Sequence, residues 1–307
     1  MLEIQGLTKR YGATTAVDGL SVDVRPGSVT AFLGPNGAGK TTTLRLAVGL
    51  AEPTSGRVLI SGRSYRQLAR PLFEVGALLD SGYLDRGRSG RDHLAWIARS
   101  HRIGRDRVCS LLEQVGLAGV AGRAVGSYSL GMRQRLGIAT ALLGDPATLL
   151  LDEPVNGLDP DGVRWLRALL RSLAAEGRTV LLSSHLISEV AITPDRLIVI
   201  GRGRLVADTT VAELAGRFGR GVVVRSPRWA ELATALETAG GSIDRDPGGD
   251  RLDVAGLDAA TVGRVAAEAG IPLLELTVGG GSLEDAYVRL TADAADHPAA
   301  RGEAHRG

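Results

Sequence analysis

The sequence predicts an α/β fold built on a parallel sheet, followed by a smaller α+β unit. Three observations predict it. Apolar runs of strand length at Ser28–Leu33, 147–151 and 179–183 alternate with helical patterns, as in sheets whose strands are joined by crossover helices. A glycine-rich turn links the first of these runs to a helix. From residue 222 onward the patterns fall in the order strand, helix, strand, strand, helix, strand.

The elements follow in order. Residues 1–30 read as short alternating strands, LEIQGLTKRYG and GLSVDVRPGSV, punctuated by Gly12 and by Arg25-Pro26-Gly27. The strand SVTAFL leads to a helix over 40–48 with Gly49 as its stop, and 56–62 reads as an edge strand. Residues 85–143 are mostly helical by pattern, including HLAWIARSHR, RDRVCSLLEQVGL and SLGMRQRLGIATALL. Asp159-Pro160 opens another helix, with an acidic N-cap and proline at the first position. Residues 197–200 and 204–207, joined across Gly201-Arg202-Gly203, read as a closing hairpin. A boundary is expected near 216–221. Beyond it lie a strand (222–225), a helix (228–239), strands near Ile243 and at 251–254, a helix (259–269) and a strand (273–278). That order is the ferredoxin-like split unit. A last helix is expected over 282–290, and 293–307 has the composition of a disordered tail.

Composition narrows the function. The chain has 307 residues, 44% hydrophobic and 23% charged, which is ordinary for a chain that buries a core. The length suits one large core and one small unit. Net charge is +2, from 36 basic and 34 acidic residues, too balanced to draw nucleic acid by bulk electrostatics; no nucleic-acid partner is expected. The one cysteine, Cys109, excludes an intramolecular disulfide and reads as a buried thiol. The first residues lack a signal-peptide pattern. No apolar stretch reaches the roughly 18 residues of a membrane span, and the best candidate, 136–151, is broken by Asp145-Pro146. A cytoplasmic protein is expected, with any membrane role supplied by a partner chain.

Gly34-Pro35-Asn36-Gly37-Ala38-Gly39-Lys40-Thr41 fits G-x-x-x-x-G-K-[ST], a pattern expected by chance ~0.004 times in a chain of this composition. Glycines let backbone N–H groups curl around phosphate oxygens, and the following helix points its positive end at the anion. Lys40 places a point charge on the β- and γ-phosphates, and Thr41 offers its hydroxyl to Mg²⁺. The basic residues are otherwise almost all arginine: the two lysines are Lys9 and Lys40. The apolar run at 147–151 ends in Asp152-Glu153. Beside a phosphate loop, Asp152 reads as a ligand to Mg²⁺ through water, and Glu153 as the general base for an attacking water. His185 follows the run at 179–183, at a strand's carboxyl end, where ligand crevices of open α/β sheets lie. It reads as a contact to the γ-phosphate.

The series Lys40-Thr41, Ser129-Leu130-Gly131-Met132-Arg133-Gln134, Asp152-Glu153, Asn156-Gly157-Leu158-Asp159 and Ser184-His185 resembles the ATP-binding cassette family over roughly residues 1–215. The drug- and antibiotic-exporter type, with daunorubicin- and bacitracin-resistance ATPases, is the nearest in kind. The resemblance implies a P-loop NTPase (RecA-like) core with an antiparallel β-subdomain, a helical subdomain over about 81–145, and an accessory unit over 222–290. It implies that Tyr11 stacks on adenine. Gly34, Gly37, Gly39, Lys40, Thr41 and Thr42 then form the Walker A loop, with Pro35, Asn36 and Ala38 inside it. Asp152 and Glu153 form Walker B with the catalytic glutamate, Asp159 lies in the D-loop, and His185 is the switch histidine. Ser129 and Gly131 belong to the signature segment, which meets the nucleotide held by an opposite cassette. Leu130 replaces a glycine there, and Met132 a glutamine. The strand-end glutamine of the family aligns with Asp80, a candidate link between Mg²⁺ and the permease contact. Arg86, Arg88 and Arg91 form either a solvated basic face or a contact for the permease's cytoplasmic helices. ATP, Mg²⁺, a second copy of the chain and a separate permease are implied, with export as the direction and the inner face of the membrane as the location. The alternatives are a non-transport cassette ATPase and a nucleotide-dependent regulator. The single glycine loop and the retained Glu153 and His185 argue against them.

Overall fold

A computed structural model of the chain describes residues 1–80, 84–185, 194–218, 221–245 and 251–279. Strands β1 (Leu2–Tyr11) and β2 (Thr14–Val24) pair antiparallel, as their alternation predicts. Strand β3 (Ser28–Leu33) leads into helix α1 (Lys40–Ala47). Strand β4 (Ser55–Ile60) covers the other edge of β1, giving the order β2-β1-β4. It stops before residue 62 because Ser61 and Gly62 turn through positive φ.

After the short helix α2 (Pro71–Glu74), strand β5 (Val75–Leu78) joins a second sheet. Helices α3 (Gly90–Ser100), α4 (Arg105–Gln114) and α5 (Leu130–Ala141) follow. Ser89 caps α3 by accepting from the Asp92 N–H at 3.0 Å. Helix α4 buries Val108, Leu111 and Leu112. Cys109 stands one position past Val108, a rotation of about 100°, and is exposed rather than buried. Helix α5 lies close on β5: a Cβ at Gly137 would stand 2.7 Å from Leu78 Cδ1, and one at Gly76 would stand 2.0 Å from the Ala141 carbonyl oxygen.

Strand β6 (Thr148–Leu151), helix α6 (Pro160–Ala175), and strands β7 (Thr179–Ser184), β8 (Arg196–Gly201) and β9 (Arg204–Thr210) complete the sheet. Its order is β5-β6-β7-β3-β8-β9, parallel from β5 through β8. Every residue of β6 and β7 is buried, which is why these strands read as continuous apolar runs without alternation. Leu33 pairs with Ser184 and Leu151 with Leu182, so β3 and β7 end level, and β6 ends two residues earlier at the same edge of the sheet.

The chain divides into two compact units between Asp208 and Thr209. Helix α7 (Val211–Phe218) opens the second. Then come β10 (Gly221–Arg225), α8 (Trp229–Thr238), β11 (Ser242–Arg245), β12 (Arg251–Ala255), α9 (Ala259–Glu268) and β13 (Glu275–Gly279). The antiparallel order β11-β12-β10-β13 is that of the expected split unit. Val222, Val224, Leu252 and Val254 pack with Leu232, Leu236, Val262 and Ala266 as its core. The helix expected over 282–290 and the tail expected over 293–307 lie outside the described residues.

Candidate functional site

The loop between β3 and α1 is shaped by three glycines for two different reasons. Gly37 stands at φ +81 with open space around it, so it supplies conformation. Gly34 and Gly39 supply closeness: a Cβ on Gly34 would lie 2.6 Å from the Ile200 carbonyl oxygen, and one on Gly39 2.4 Å from that of Ala16. Neighbouring strands therefore press on the loop from behind. Gly39 begins α1 without a side-chain cap, and no acidic residue occupies the first turn. An uncapped, positively polarised helix end is suited to an anion.

Lys40 is 6% exposed. Its Nζ donates to the Gly34 carbonyl at 2.6 Å and to the Pro35 carbonyl at 3.3 Å, and stands 3.5 Å from Glu153 Oε1. The loop thus folds its own cation over itself, and a carboxylate neutralises it. Thr41 Oγ1 donates to Asp152 Oδ2 at 2.6 Å. The second oxygen of Asp152 accepts from Ser183 Oγ. Glu153 Oε2 lies 2.9 Å from His185 Nδ1. Lys40, Thr41, Asp152, Glu153 and His185 are therefore one connected cluster at the carboxyl ends of β3, β6 and β7.

Glu153 stands at φ +46, a left-handed conformation that costs a non-glycine residue on the order of 1–3 kcal/mol. Its N–H donates to Ser183 Oγ at 2.9 Å. Ser183 thus ties together both acidic residues, a role the sequence reading missed. Its signal was a hydroxyl inside an apolar run, where burial demands a partner.

The other expected residues are placed as follows. Thr42 is half-buried in the first turn of α1. Asn36 and Pro35 lie in the loop, and the Ala38 N–H turns back to the Pro35 carbonyl at 3.1 Å. Tyr11 ends β1 and is 52% exposed, with Lys9 Nζ 4.9 Å from its ring centroid. Asp80 is exposed just beyond β5, whose Leu78 carbonyl accepts from the Asp152 N–H at 2.7 Å. It leaves the sheet at the same end as Asp152. Ser129 caps α5 by accepting from the Met132 N–H at 3.2 Å. Asp159 caps α6 by accepting from the Gly162 N–H at 2.7 Å. A Cβ on Gly131 would lie 2.8 Å from the Gly157 carbonyl oxygen, so the Ser129 segment packs on the 156–159 turn. Arg88 lies 3.5 Å from Asp85 and 5.0 Å from the Trp96 ring centroid.

Among the described residues no group of three or more His, Cys, Asp or Glu side chains could hold a metal by itself. The paired Thr41 hydroxyl and Asp152 carboxylate are hard oxygen donors. They fit an ion such as Mg²⁺, which uses one or two protein oxygens and takes the rest from water and phosphate.

The family model for the ABC transporter matches residues 17–156, and a domain of unknown function, DUF8746, matches residues 220–284. Daunorubicin resistance ATP-binding protein DrrA3 of Streptomyces coeruleorubidus is 36% identical over 307 residues, spanning 95% of this chain and 96% of its own. Bacitracin transport ATP-binding protein BcrA of Bacillus licheniformis is 34% identical, spanning 94% of this chain and 97% of its own. Among solved structures, an ATP-binding subunit of an ABC transporter superposes with a TM-score of 0.65 at 27% identity, covering 71% of this chain and 93% of that one.

Proposed function

The chain belongs to the ABC transporter family of ATP-binding proteins, and from that premise we propose how its residues use ATP. It is the ATP-binding, ATP-hydrolysing subunit of a transporter, energising a separate permease. Among the described residues no helix is long and apolar enough to cross a membrane. As in its family, the permease holds the chain peripherally at the membrane's inner face. The cargo is a drug, an antibiotic or another hydrophobic compound, moved outward. This choice is supported by the full-length likeness to proteins named for daunorubicin resistance and bacitracin transport.

One observation carries the site assignment: Lys40 is held between its own loop's carbonyls and Glu153, whose other oxygen meets His185. The β- and γ-phosphates displace Glu153 as the anion facing Lys40, while the loop and α1's first turn, including Thr42, supply N–H donors. The freed carboxylate stays against His185 and orients and deprotonates the attacking water. Thr41 and Asp152 would hold Mg²⁺, which when bound neutralises charge on the phosphates. Asp80, which leaves the sheet at the same end as Asp152, would meet the water shell of that ion and relay its state to the permease contact. Tyr11, with an exposed ring, stacks on adenine, a contact typically worth ~1–3 kcal/mol per base.

Two copies complete two sites. Each copy presents Lys40 to its own nucleotide, and Ser129 and Gly131 with the D-loop Asp159 to the partner's. Closure of that homodimer on ATP drives the permease, and hydrolysis reopens it. Residues 1–215 serve as the cassette and 222–290 as an accessory unit.

The test is Glu153→Gln. Turnover should fall about 10²–10⁴-fold, the usual contribution of a general base, while ATP stays bound and a dimer elutes on size exclusion. Wild-type turnover in this variant would reassign the base. Asp80→Ala should reduce permease-stimulated ATPase and transport; if both are unchanged, the relay through Asp80 is wrong.

A further inference from the structure

Glu153 is gripped at its carbonyl as well as at its N–H and carboxylate. The Asn156 N–H reaches that carbonyl oxygen at 3.2 Å. Gln134 Nε2 donates to the same oxygen at 3.3 Å. Gln134 lies on α5 and is 5% exposed. A buried side-chain amide is expensive unless its groups are bonded, and this one is spent on a backbone carbonyl 19 positions away in the chain. The residue it reaches carries the positive φ of the site. Such a conformation persists where the surroundings over-determine it.

The same helix grips the following turn at its other end. Leu130 is 48% exposed, yet its Cγ lies where a Cβ on Gly157 would come within 2.3 Å. Gly131 presses on the Gly157 carbonyl oxygen. Helix α5 therefore touches both ends of the 153–157 turn, with Leu130 and Gly131 at its first residues and Gln134 one turn on. A helix transmits displacement along its axis as a rod, about 1.5 Å per residue. A shift of the Ser129 segment thus reaches the Glu153 backbone within one helical turn.

We propose that Gln134 is a positioning residue that couples the two ATP sites. It ties the helix whose start meets the partner's nucleotide to the backbone of this chain's own general base. The inference rests on the assignments of Glu153 and of the Ser129 segment made above. When the segment engages, Gln134 holds the Glu153 peptide in its left-handed conformation and so keeps the carboxylate aimed. Without the amide, nucleotide still binds and the dimer still closes, but the base is loose.

The experiment uses the full chain with ATP. Gln134→Met keeps length and burial and removes the donor; Gln134→Glu keeps shape and sets an oxygen against the carbonyl. Steady-state ATPase should lose about tenfold or more in kcat with KM for ATP within about twofold, the signature of an interaction lost in the transition state. Placed in the Glu153→Gln background, either substitution should leave the ATP-driven dimer on size exclusion intact. Unchanged kcat overturns the proposal. So does loss of the dimer together with turnover, because Gln134 would then act through the partner-facing segment. If both variants unfold by circular dichroism, Gln134 is structural and the proposal falls. Failure of the underlying reading is separate: it appears as wild-type turnover in Glu153→Gln with Gln134 intact.

Discussion

In residues 1–208 the buried positions include Lys40, Gln134, His93, Ser183 and Ser184, whereas among the described residues 221–279 the buried polar side chain is Ser226. Ser226 meets only backbone groups, donating to the Pro272 carbonyl at 2.8 Å and accepting from the Arg228 N–H at 3.1 Å. The polar groups of the first unit also join side chain to side chain, Thr41 to Asp152 and Ser183 to the same carboxylate, with the Glu153 N–H on Ser183 as well. The first unit also tolerates Glu153 at positive φ. Buried polarity and strain cost stability and gather where chemistry is done. Residues 221–279, as far as they are described, are held by an apolar core and helix caps.

Lys40→Ala offers the largest break in this contrast. It removes the buried cation from the cluster and should cut turnover about 10²–10³-fold or more, the scale of one lost electrostatic stabiliser. Hydrogen exchange across 221–279 should stay unchanged; altered protection there would mean that the second unit depends on the site. The converse comes next. Leu232 is fully buried in the second core, and Leu232→Ala should cost that unit about 2–5 kcal/mol. Denaturant-dependent exchange would read the loss, with kcat of the cassette preserved. A fall in kcat matching the loss of stability would remove the distinction.

Acid should separate the units by the smallest margin. Burial, reinforced by Arg88 and opposed by Asp85, lowers the pKa of His93 below its usual 6.5. A group with a lowered folded pKa contributes stability that is complete above its unfolded pKa and lost as pH falls through the folded one. The first unit should therefore weaken as pH drops below about 6.5, the unfolded histidine value. The second has no histidine among its described residues. Its Asp258, lowered by hydrogen bonds from Thr261, keeps its contribution above 3.8 and loses it only below. Exchange measured between pH 7 and 5 should show protection falling around α3 first; equal loss in both units would sink the attribution to His93.

Much of the fold was legible. The strand runs at 147–151 and 179–183 emerged within a residue of β6 and β7, because strands buried on both faces carry an unbroken apolar signal. The split order after residue 221 was legible from the succession of strand and helix patterns, and the structure adds the cap at Asp258, which accepts from the Thr261 N–H. Cys109 was misread because a helix shows its partner in the tertiary fold, and one residue of phase turns a thiol from core to solvent. Ser183 was silent for a related reason: a lone hydroxyl has no motif, and Asp152 lies 31 positions away. Gln134 stood at the end of the Ser129 motif, but nothing local showed that its amide meets a carbonyl 19 positions away.

The sequence by itself determined the glycine-rich loop before α1. Its residues are contiguous, its turns are glycine conformations, and its lysine bonds carbonyls six and five positions away. These interactions are local, whereas the closeness at Gly34 and Gly39 is to Ile200 and Ala16 on other strands. Only the tertiary structure decided that Lys40 meets Glu153, that Glu153 meets His185, and that α5 reaches back to the same carbonyl. Those encounters depend on parallel strands lying in the order β6-β7-β3 with their carboxyl ends at one edge of the sheet, and on glycines that let α5 lie against β5. Side-chain reach is short, so chemistry between distant residues is set by which backbones pack side by side.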